Sequence, residues 1–94
     1  MDTKIARQVL GQEIGILRTR SYDSLRDELL ERPSAKEIVG PDGRKYQLEM
    51  QAFWDDKPGG NLRVIVSIDD GGWRAFFPLN DSFIISPTGD FVGE

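Results

Sequence analysis

The chain of 94 residues contains no cysteine and no histidine. Without cysteine it can form no disulfide framework, thiolate nucleophile or thiolate metal site, and without histidine it lacks the commonest general base and imidazole metal ligand. An enzyme built from this chain would have to use carboxylates, hydroxyls, Lys, Arg or backbone amides, which leaves glycoside hydrolysis and carboxylate-bound Mg²⁺ or Ca²⁺ chemistry open. The sequence shows no catalytic motif. We therefore expect a protein that is not an enzyme and needs no cofactor.

Long apolar runs and a basic stripe are missing as well. No apolar run approaches the roughly 18 residues that cross a bilayer, and the N-terminus lacks the pattern of a secretion signal, so we expect a cytoplasmic protein without a membrane partner. Residues 48–94 carry three Lys or Arg against eight Asp or Glu, and the remaining cations are interleaved with acids. Nucleic-acid binding usually requires a concentrated basic surface, so we expect no nucleic-acid partner.

The length predicts a single domain over residues 1–94, because so short a chain supports only one core. Periodicity divides this domain into a helical part, residues 1–32, and an antiparallel sheet, residues 35–94. The predicted fold class is α+β, with one or two N-terminal helices packed on one face of a β-meander of four to six strands.

Apolar residues recur near helical spacing in the first part of the chain, which predicts an amphipathic helix over residues 3–20. These residues include Ile5, Val9 and Ile16. Ser21 is a candidate N-cap for a second helix, which Pro33 would end. The pattern alone leaves open whether the two segments form one bent helix or two.

Regular alternation of apolar and polar residues predicts strands in the second part of the chain. The alternating stretches are Tyr46 to Trp54, Leu62 to Ile68, Trp73 to Leu79 and Ser82 to Ser86. A shorter strand, Glu37 to Val39, precedes the turn signal Gly40-Pro41-Asp42-Gly43.

Turn chemistry predicts how these strands pair. Asp70-Gly71 is a favoured two-residue hairpin turn, which places Ile68 opposite Trp73 and Leu62 opposite Leu79. With Trp54 set opposite Leu62, every row on one face is apolar, so we expect the helices to cover that face. The rows are Leu48/Ile68/Trp73, Met50/Val66/Ala75, Ala52/Val64/Phe77 and Trp54/Leu62/Leu79.

The opposite face of this sheet has an apolar middle. If Asn80-Asp81 forms a turn, Ile84 joins the core and the residues beside it face outward. The predicted interface residues are Phe53, Arg63, Ile65, Phe76, Phe83 and Ile85. A large exposed apolar patch often marks an interface. Three explanations are open: the C-terminal segment with Phe91 and Val92 covers the patch, a second copy binds it, or another protein does.

Acidic turns form a second candidate site. Alternate turns of a meander meet at one end of the sheet, which would gather four carboxylates, those of Asp42, Asp69, Asp70 and Asp90. Flexible oxygen-rich turns suit Ca²⁺ or Mg²⁺, so these residues are the candidates for a cation site. Their spacing matches no EF-hand loop, and tight turns themselves require Asp and Gly, so turn formation is the explanation we adopt.

The last 55 residues resemble a family of small uncharacterised bacterial proteins. The motifs that carry the resemblance are Tyr46-Gln47-Leu48-Glu49, Ile68-Asp69-Asp70-Gly71-Gly72 and the run from Asp81-Ser82-Phe83-Ile84 to Glu94. The resemblance supports the fold and implies neither an activity nor a catalytic residue.

The function that these observations favour is a noncatalytic protein-interaction module. Its partner would be a protein or a second copy of the chain, and we expect self-association as a homodimer through the outer sheet face. The alternative is a domain that binds a small molecule or a divalent cation, either at the acidic turns or in a crevice between helix and sheet.

Overall fold

The computed structural model describes residues 3–71 and 79–94. Two helices open the chain, α1 over Thr3–Leu17 and α2 over Tyr22–Leu29. Between them Ser21 has an extended backbone, and its hydroxyl accepts a 3.1 Å hydrogen bond from the Ser24 amide, which confirms it as the N-cap of α2. The first part of the chain therefore forms two helices and not one bent helix.

Four antiparallel strands follow the helices in the described residues and lie in the order β1-β2-β3-β4. Their bounds are Ser34–Val39 for β1, Lys45–Trp54 for β2, Leu62–Asp69 for β3 and Leu79–Ile85 for β4. Both helices contact the sheet, so the predicted α+β fold is confirmed. The first strand is longer than predicted, because it begins directly after the Pro33 that interrupts helical structure.

The predicted pairing of β2 with β3 is confirmed. Leu48 lies opposite Ile68, and Trp54 lies opposite Leu62. Burial alternates strictly along β3, where every second residue from Leu62 to Ile68 is buried. One face of these two strands therefore forms the floor of the core, as the alternating pattern predicts.

The predicted hairpin between β3 and its next neighbour is wrong. Leu79 lies opposite Ile68, and Ile85 lies opposite Leu62. The free side of β3 is thus taken by β4, and not by a strand that turns back at Asp70-Gly71. The partners predicted for the middle of β3, Trp73, Ala75 and Phe77, lie outside the described residues.

The prediction of which residues of the last strand face the core is also wrong. Asn80 and Asp81 lie inside β4 and form no turn, so the alternation runs on from Leu79 without a switch. Phe83 and Ile85 are consequently buried in the core, and Ile84 takes the opposite face.

The core lies between the helices and one face of the sheet. Helix α1 packs on β3 and β4, and α2 packs on β2 and β3, which leaves β1 at the margin of the helical layer. The largest fully buried side chains are Tyr46, Leu25, Leu48, Leu62, Ile68, Ile85, Val64 and Val66. Ile16, predicted to lie on the buried side of α1, is 56% exposed. Within the described residues no helix is long and apolar enough to span a membrane.

The C-terminal segment turns back along the free edge of β4. The Ser86 amide donates a 2.8 Å hydrogen bond to the Asp90 carbonyl, and the Val92 amide donates a 2.9 Å hydrogen bond to the Ile84 carbonyl. Phe91 packs edge-to-face against Phe83, with 5.7 Å between ring centroids. The segment therefore pairs with β4 over a short stretch at this edge of the sheet.

Candidate interaction surface

The face of the sheet opposite the helices, called here the outer face, carries an apolar patch at one end. Its first row is Phe53, Arg63 and Ile84, and its second is Gln51, Ile65 and Ser82. Phe53 is 48% exposed, and Ile65 and Ile84 are half-buried. We define the outer patch as Phe53, Ile65, Ile84 and Val92.

Val92 belongs to this patch because of how the C-terminal segment pairs. Phe91 lies opposite Ile85, so Val92 lies beside Ile84 and shares its face. Its side chain is 38% exposed. The C-terminal segment thus extends the outer patch at the sheet edge and does not fold over Phe53 and Ile65.

The predicted interface residues divide into three groups. Phe53, Arg63 and Ile65 lie on the outer face as predicted. The outward placement of Phe83 and Ile85 is wrong, because the register of β4 turns both side chains toward the helices. Phe76 lies outside the described residues.

Two members of the outer patch, Ile84 and Val92, were missed by the sequence reasoning. The signal for Ile84 was present: uninterrupted alternation from Leu79 puts Phe83 and Ile85 on one face and Ile84 on the other. It was hidden because Asn80-Asp81 also has the composition of a turn.

Arg63 lies between Phe53 and Ile84 on the outer face and forms an ion pair. Its Nη2 lies 2.8 Å from Asp55 Oδ1, and its Nε lies 3.1 Å from the same oxygen. Asp55 is located in the loop between β2 and β3, so the pair ties this loop to the patch-bearing end of the sheet. An exposed pair of this kind contributes little stability, but it places a charge beside Phe53.

The acidic turns do not all meet at one end of the sheet. The β1–β2 turn with Asp42 and the end of β3 with Asp69 and Asp70 lie at one end. Asp90 follows β4, which runs from Leu79 opposite Ile68 to the other end of the sheet. The prediction that Asp90 joins the other three carboxylates is wrong, because β4, the strand before the C-terminal turn, pairs directly with β3.

Each of three acidic candidates makes hydrogen bonds within its own turn. The Gly71 amide donates to Asp69 Oδ1 at 2.8 Å, and Thr88 Oγ1 donates to Asp90 Oδ2 at 2.9 Å. Asp42 Oδ1 accepts from the Arg44 amide at 3.2 Å. Within residues 3–71 and 79–94 no group of three or more acidic residues is arranged to hold a metal ion. Turn formation accounts for these positions.

Asp42 also accepts a hydrogen bond from a buried side chain. The Tyr46 hydroxyl donates to Asp42 Oδ2 at 2.8 Å. Partial burial raises the pKa of Asp42, but the hydrogen bonds from Tyr46 and from the backbone amides of Arg44 and Asp42, together with the charge of Arg44, outweigh it. The pKa of Asp42 is therefore lowered from its ordinary value.

A crevice of about 370 Å³ separates the helices from β1. Its walls come from both helices and its floor from β1 and β2, and its lining includes Glu13, Ile16, Leu29, Lys36 and Met50. Glu13 Oε2 lies 3.0 Å from Lys36 Nζ, and the Glu13 side chain is only 7% exposed. The sequence signal for a buried Glu13 was its position between Leu10 and Leu17, on the apolar side of α1.

The comparisons with known proteins give this surface no precedent. No family model matches the chain, and neither a curated protein nor a solved structure does.

Proposed function

We propose that this protein is a noncatalytic protein-interaction module that self-associates through its outer face. One observation carries the proposal: both helices pack on the same side of the sheet, and the other side exposes an apolar patch at its end. In a two-layer fold an antiparallel sheet usually presents polar residues to water on its uncovered face. The outer patch departs from that pattern.

The composition of the patch suits an interface. Phe53 supplies a half-exposed aromatic ring, and Ile65, Ile84 and Val92 supply aliphatic surface around it. Arg63, which is paired with Asp55, lies between Phe53 and Ile84. Aromatic residues and arginine are enriched at protein interfaces and among the residues that dominate binding energy.

A second copy of the chain is the simplest partner for such a patch. In a two-fold symmetric dimer the same surface meets itself, so it needs only self-complementary shape and charge. An axis close to Ile65 would place the apolar rows of two copies against each other, at the roughly 10 Å spacing of packed sheets. The Arg63 side chain of each copy would lie between Phe53 and Ile84, with its charge paired to Asp55.

Light scattering coupled to size-exclusion chromatography tests this proposal. The wild-type chain should elute with at least the mass of a dimer, and Phe53→Glu should halve that mass, because it places a charge among the apolar residues of the interface. The matched control is Ile16→Glu, which adds the same charge at an exposed apolar residue of α1 on the other side of the molecule. A wild-type monomer at every concentration, or equal losses in both variants, would overturn the proposal.

The crevice beside Glu13 and Lys36 supports a second candidate function, the binding of a small molecule between helix and sheet. Its lining combines apolar side chains with charged ones, among them the buried carboxylate of Glu13 paired with Lys36, and a concave site with a few placed polar groups is where small molecules bind. Thermal denaturation tests for ligand binding, because a ligand that binds the folded state raises Tm. The measurement uses a panel of metabolites for the crevice, and Ca²⁺ and Mg²⁺ for the acidic turns. Stabilisation that Ile16→Glu removes would favour the crevice over the outer patch.

A further inference from the structure

The two edges of the sheet differ in how they are closed. At the β4 edge, the C-terminal segment pairs with Ile84 and Ser86 through backbone hydrogen bonds. The next outward amide on that strand, Ser82, donates at 2.8 Å to the carboxylate of Asp81. This edge is therefore occupied over much of its length, which is how proteins protect edge strands from unwanted pairing.

The β1 edge has an open row of backbone groups. The Gly40 amide donates at 2.8 Å to the Arg44 carbonyl, which sets the hydrogen-bonded pairs of β1 and β2 at every second residue. Lys36 and Ile38 consequently bond to β2, while the amides and carbonyls of Ala35, Glu37 and Val39 point away from the sheet. In the described part of the chain no strand pairs with that side.

The charges of β1 do not shield this edge. Lys36 reaches back to Glu13 on α1, 3.0 Å away. Glu37 accepts a 2.8 Å hydrogen bond from Gln47 and lies 3.9 Å from Lys45, so it is drawn toward β2. Charged side chains on an edge strand normally discourage pairing. Here both are directed inward, and the apolar Val39 beside them is 64% exposed.

We infer that β1 pairs antiparallel with β1 of a second copy, joining two sheets edge to edge. This contact is separate from the outer patch, which lies at the far end of β2 and β3. A two-fold axis at Ile38 lets Glu37 and Val39 of one copy exchange backbone hydrogen bonds with Val39 and Glu37 of the other. The alternative axis at Glu37 would place that carboxylate opposite its own copy, which is unfavourable.

With the axis at Ile38, the Ile38 side chains of the two copies lie next to each other on the helix-covered side of the sheet. Ile38 is half-buried and already packs against the core. Its pairing with the Ile38 of the second copy covers the remaining surface of this side chain. The partner is recognised by its extended backbone and by an apolar residue at the centre, and the β1 strand of a second copy offers both.

A single proline substitution in β1 tests the contact. Glu37→Pro removes an amide that points outward, so it leaves the ladder between β1 and β2 intact, as proline on an edge strand does. The control is Glu37→Ala, which loses the same carboxylate and keeps the amide. We expect Glu37→Pro to halve the mass measured by light scattering and Glu37→Ala to leave it unchanged. Equal masses for the wild type and both variants would overturn the inference.

Disulfide trapping provides a test that does not depend on proline being tolerated. The chain has no cysteine, so Ile38→Cys introduces a single thiol. At the two-fold axis its two copies would be about 4.5 Å apart between Cα atoms, within the range of a disulfide. With Glu37→Cys the two substituted residues would be offset by two positions, with Cα atoms about 7 to 8 Å apart, which is too far for a disulfide. Rapid crosslinking of Ile38→Cys alone supports the register, and crosslinking of Glu37→Cys alone overturns it.

The edge contact and the outer-face contact are separable in the same assay. If both form, the wild type is an assembly larger than a dimer, Glu37→Pro leaves a dimer held by the outer patch, and Phe53→Glu leaves a dimer held by β1. If Phe53→Glu alone gives a monomer, the edge contact is overturned and the proposed function stands. If Glu37→Pro alone gives a monomer, the edge contact stands and the outer-face proposal fails.

Discussion

The hydroxyl of Tyr46 donates a 2.8 Å hydrogen bond to the carboxylate of Asp42, which links the first residues of β2 to the turn before them. Tyr46 is fully buried, and its ring lies against Gly40 at the other side of the same turn. The turn between β1 and β2 is therefore held by a side chain of the core and not only by its own backbone. This arrangement orders the strand that we propose as an edge contact.

Gly40→Ala should destabilise the protein. A Cβ at this position would lie 2.7 Å from Cε2 of the Tyr46 ring and 2.9 Å from Asp42 Oδ1, closer than atoms pack. We expect the free energy of unfolding, measured by chemical denaturation, to fall by about 1 to 3 kcal/mol.

Gly11→Ala is the matched control for that substitution. Gly11 is exposed on α1, and a Cβ there meets nothing within 4 Å. The same chemical change should stabilise the helix by up to about 1 kcal/mol, because alanine favours helix more than glycine does. Equal effects of the two substitutions would contradict the packing assigned to Gly40.

Asp42 should make stability depend on pH in the acidic range. Its pKa is lower in the folded protein than its ordinary value. Its stabilising contribution is therefore complete above the ordinary carboxyl pKa and is lost as pH falls through the folded-state pKa. The difference in Tm between the wild type and Asp42→Asn should be largest near neutral pH and shrink toward acid. A difference in Tm that stays constant over this pH range would contradict the contribution assigned to the Asp42 carboxylate.

The ion pair between Glu13 and Lys36 should respond unequally to removal of its two members. Glu13 is buried, whereas the Lys36 side chain is 45% exposed and can be hydrated. Lys36→Met leaves a buried carboxylate without its cation and should cost about 2 kcal/mol in unfolding free energy, while Glu13→Gln should cost less than about 1 kcal/mol.

The double variant of this pair provides the control. In Glu13→Gln with Lys36→Met the buried charge is gone, so its stability should lie close to that of Glu13→Gln alone. Additive losses in the double variant would show that the two side chains act independently.

Arg18 should hold the C-terminal segment in place. Its guanidinium carbon lies 3.9 Å from the centroid of the Phe91 ring, and its Nη1 lies 2.8 Å from Glu94 Oε2. Arg18→Ala should weaken this segment by about 1 kcal/mol through loss of the cation–π contact.

Hydrogen exchange at the Val92 amide measures this effect, because that amide bonds to the Ile84 carbonyl. Arg18→Ala should accelerate its exchange and leave the amides of β3 unchanged. The control is Arg26→Ala, which removes a half-buried arginine from α2, away from the segment. Unchanged exchange at Val92 in Arg18→Ala would contradict the role of Arg18.

Local chemistry accounted for the elements whose partners lie near in sequence. The Ser21 N-cap, the turn at Gly40 to Gly43 and the exact pairing of β2 with β3 followed from capping, turn composition and alternation. In each case two short-range signals agreed, so only one arrangement satisfied both.

Residues 70–85 carried conflicting local signals, and there the prediction failed. Asp70-Gly71 and Asn80-Asp81 both have turn composition, and the stretch between them alternates as a strand would. The placement of Phe83 and Ile85 depended on which signal was followed. The pairing of Leu79 with Ile68 decides on which face these two side chains lie. Local turn and strand signals do not determine how long the connection between these two paired residues is.

Sequence alone thus determined the helical and sheet halves, the face of β2 and β3 that is buried, and the placement of Phe53 and Ile65 on the outer face. Only the tertiary structure decided that β4 adjoins β3, that Ile84 and Val92 complete the outer patch, and that Lys36 and Glu37 are drawn away from the β1 edge. The physical reason is that alternation fixes which residues share a face. Which strands become neighbours depends on contacts between residues far apart in the chain.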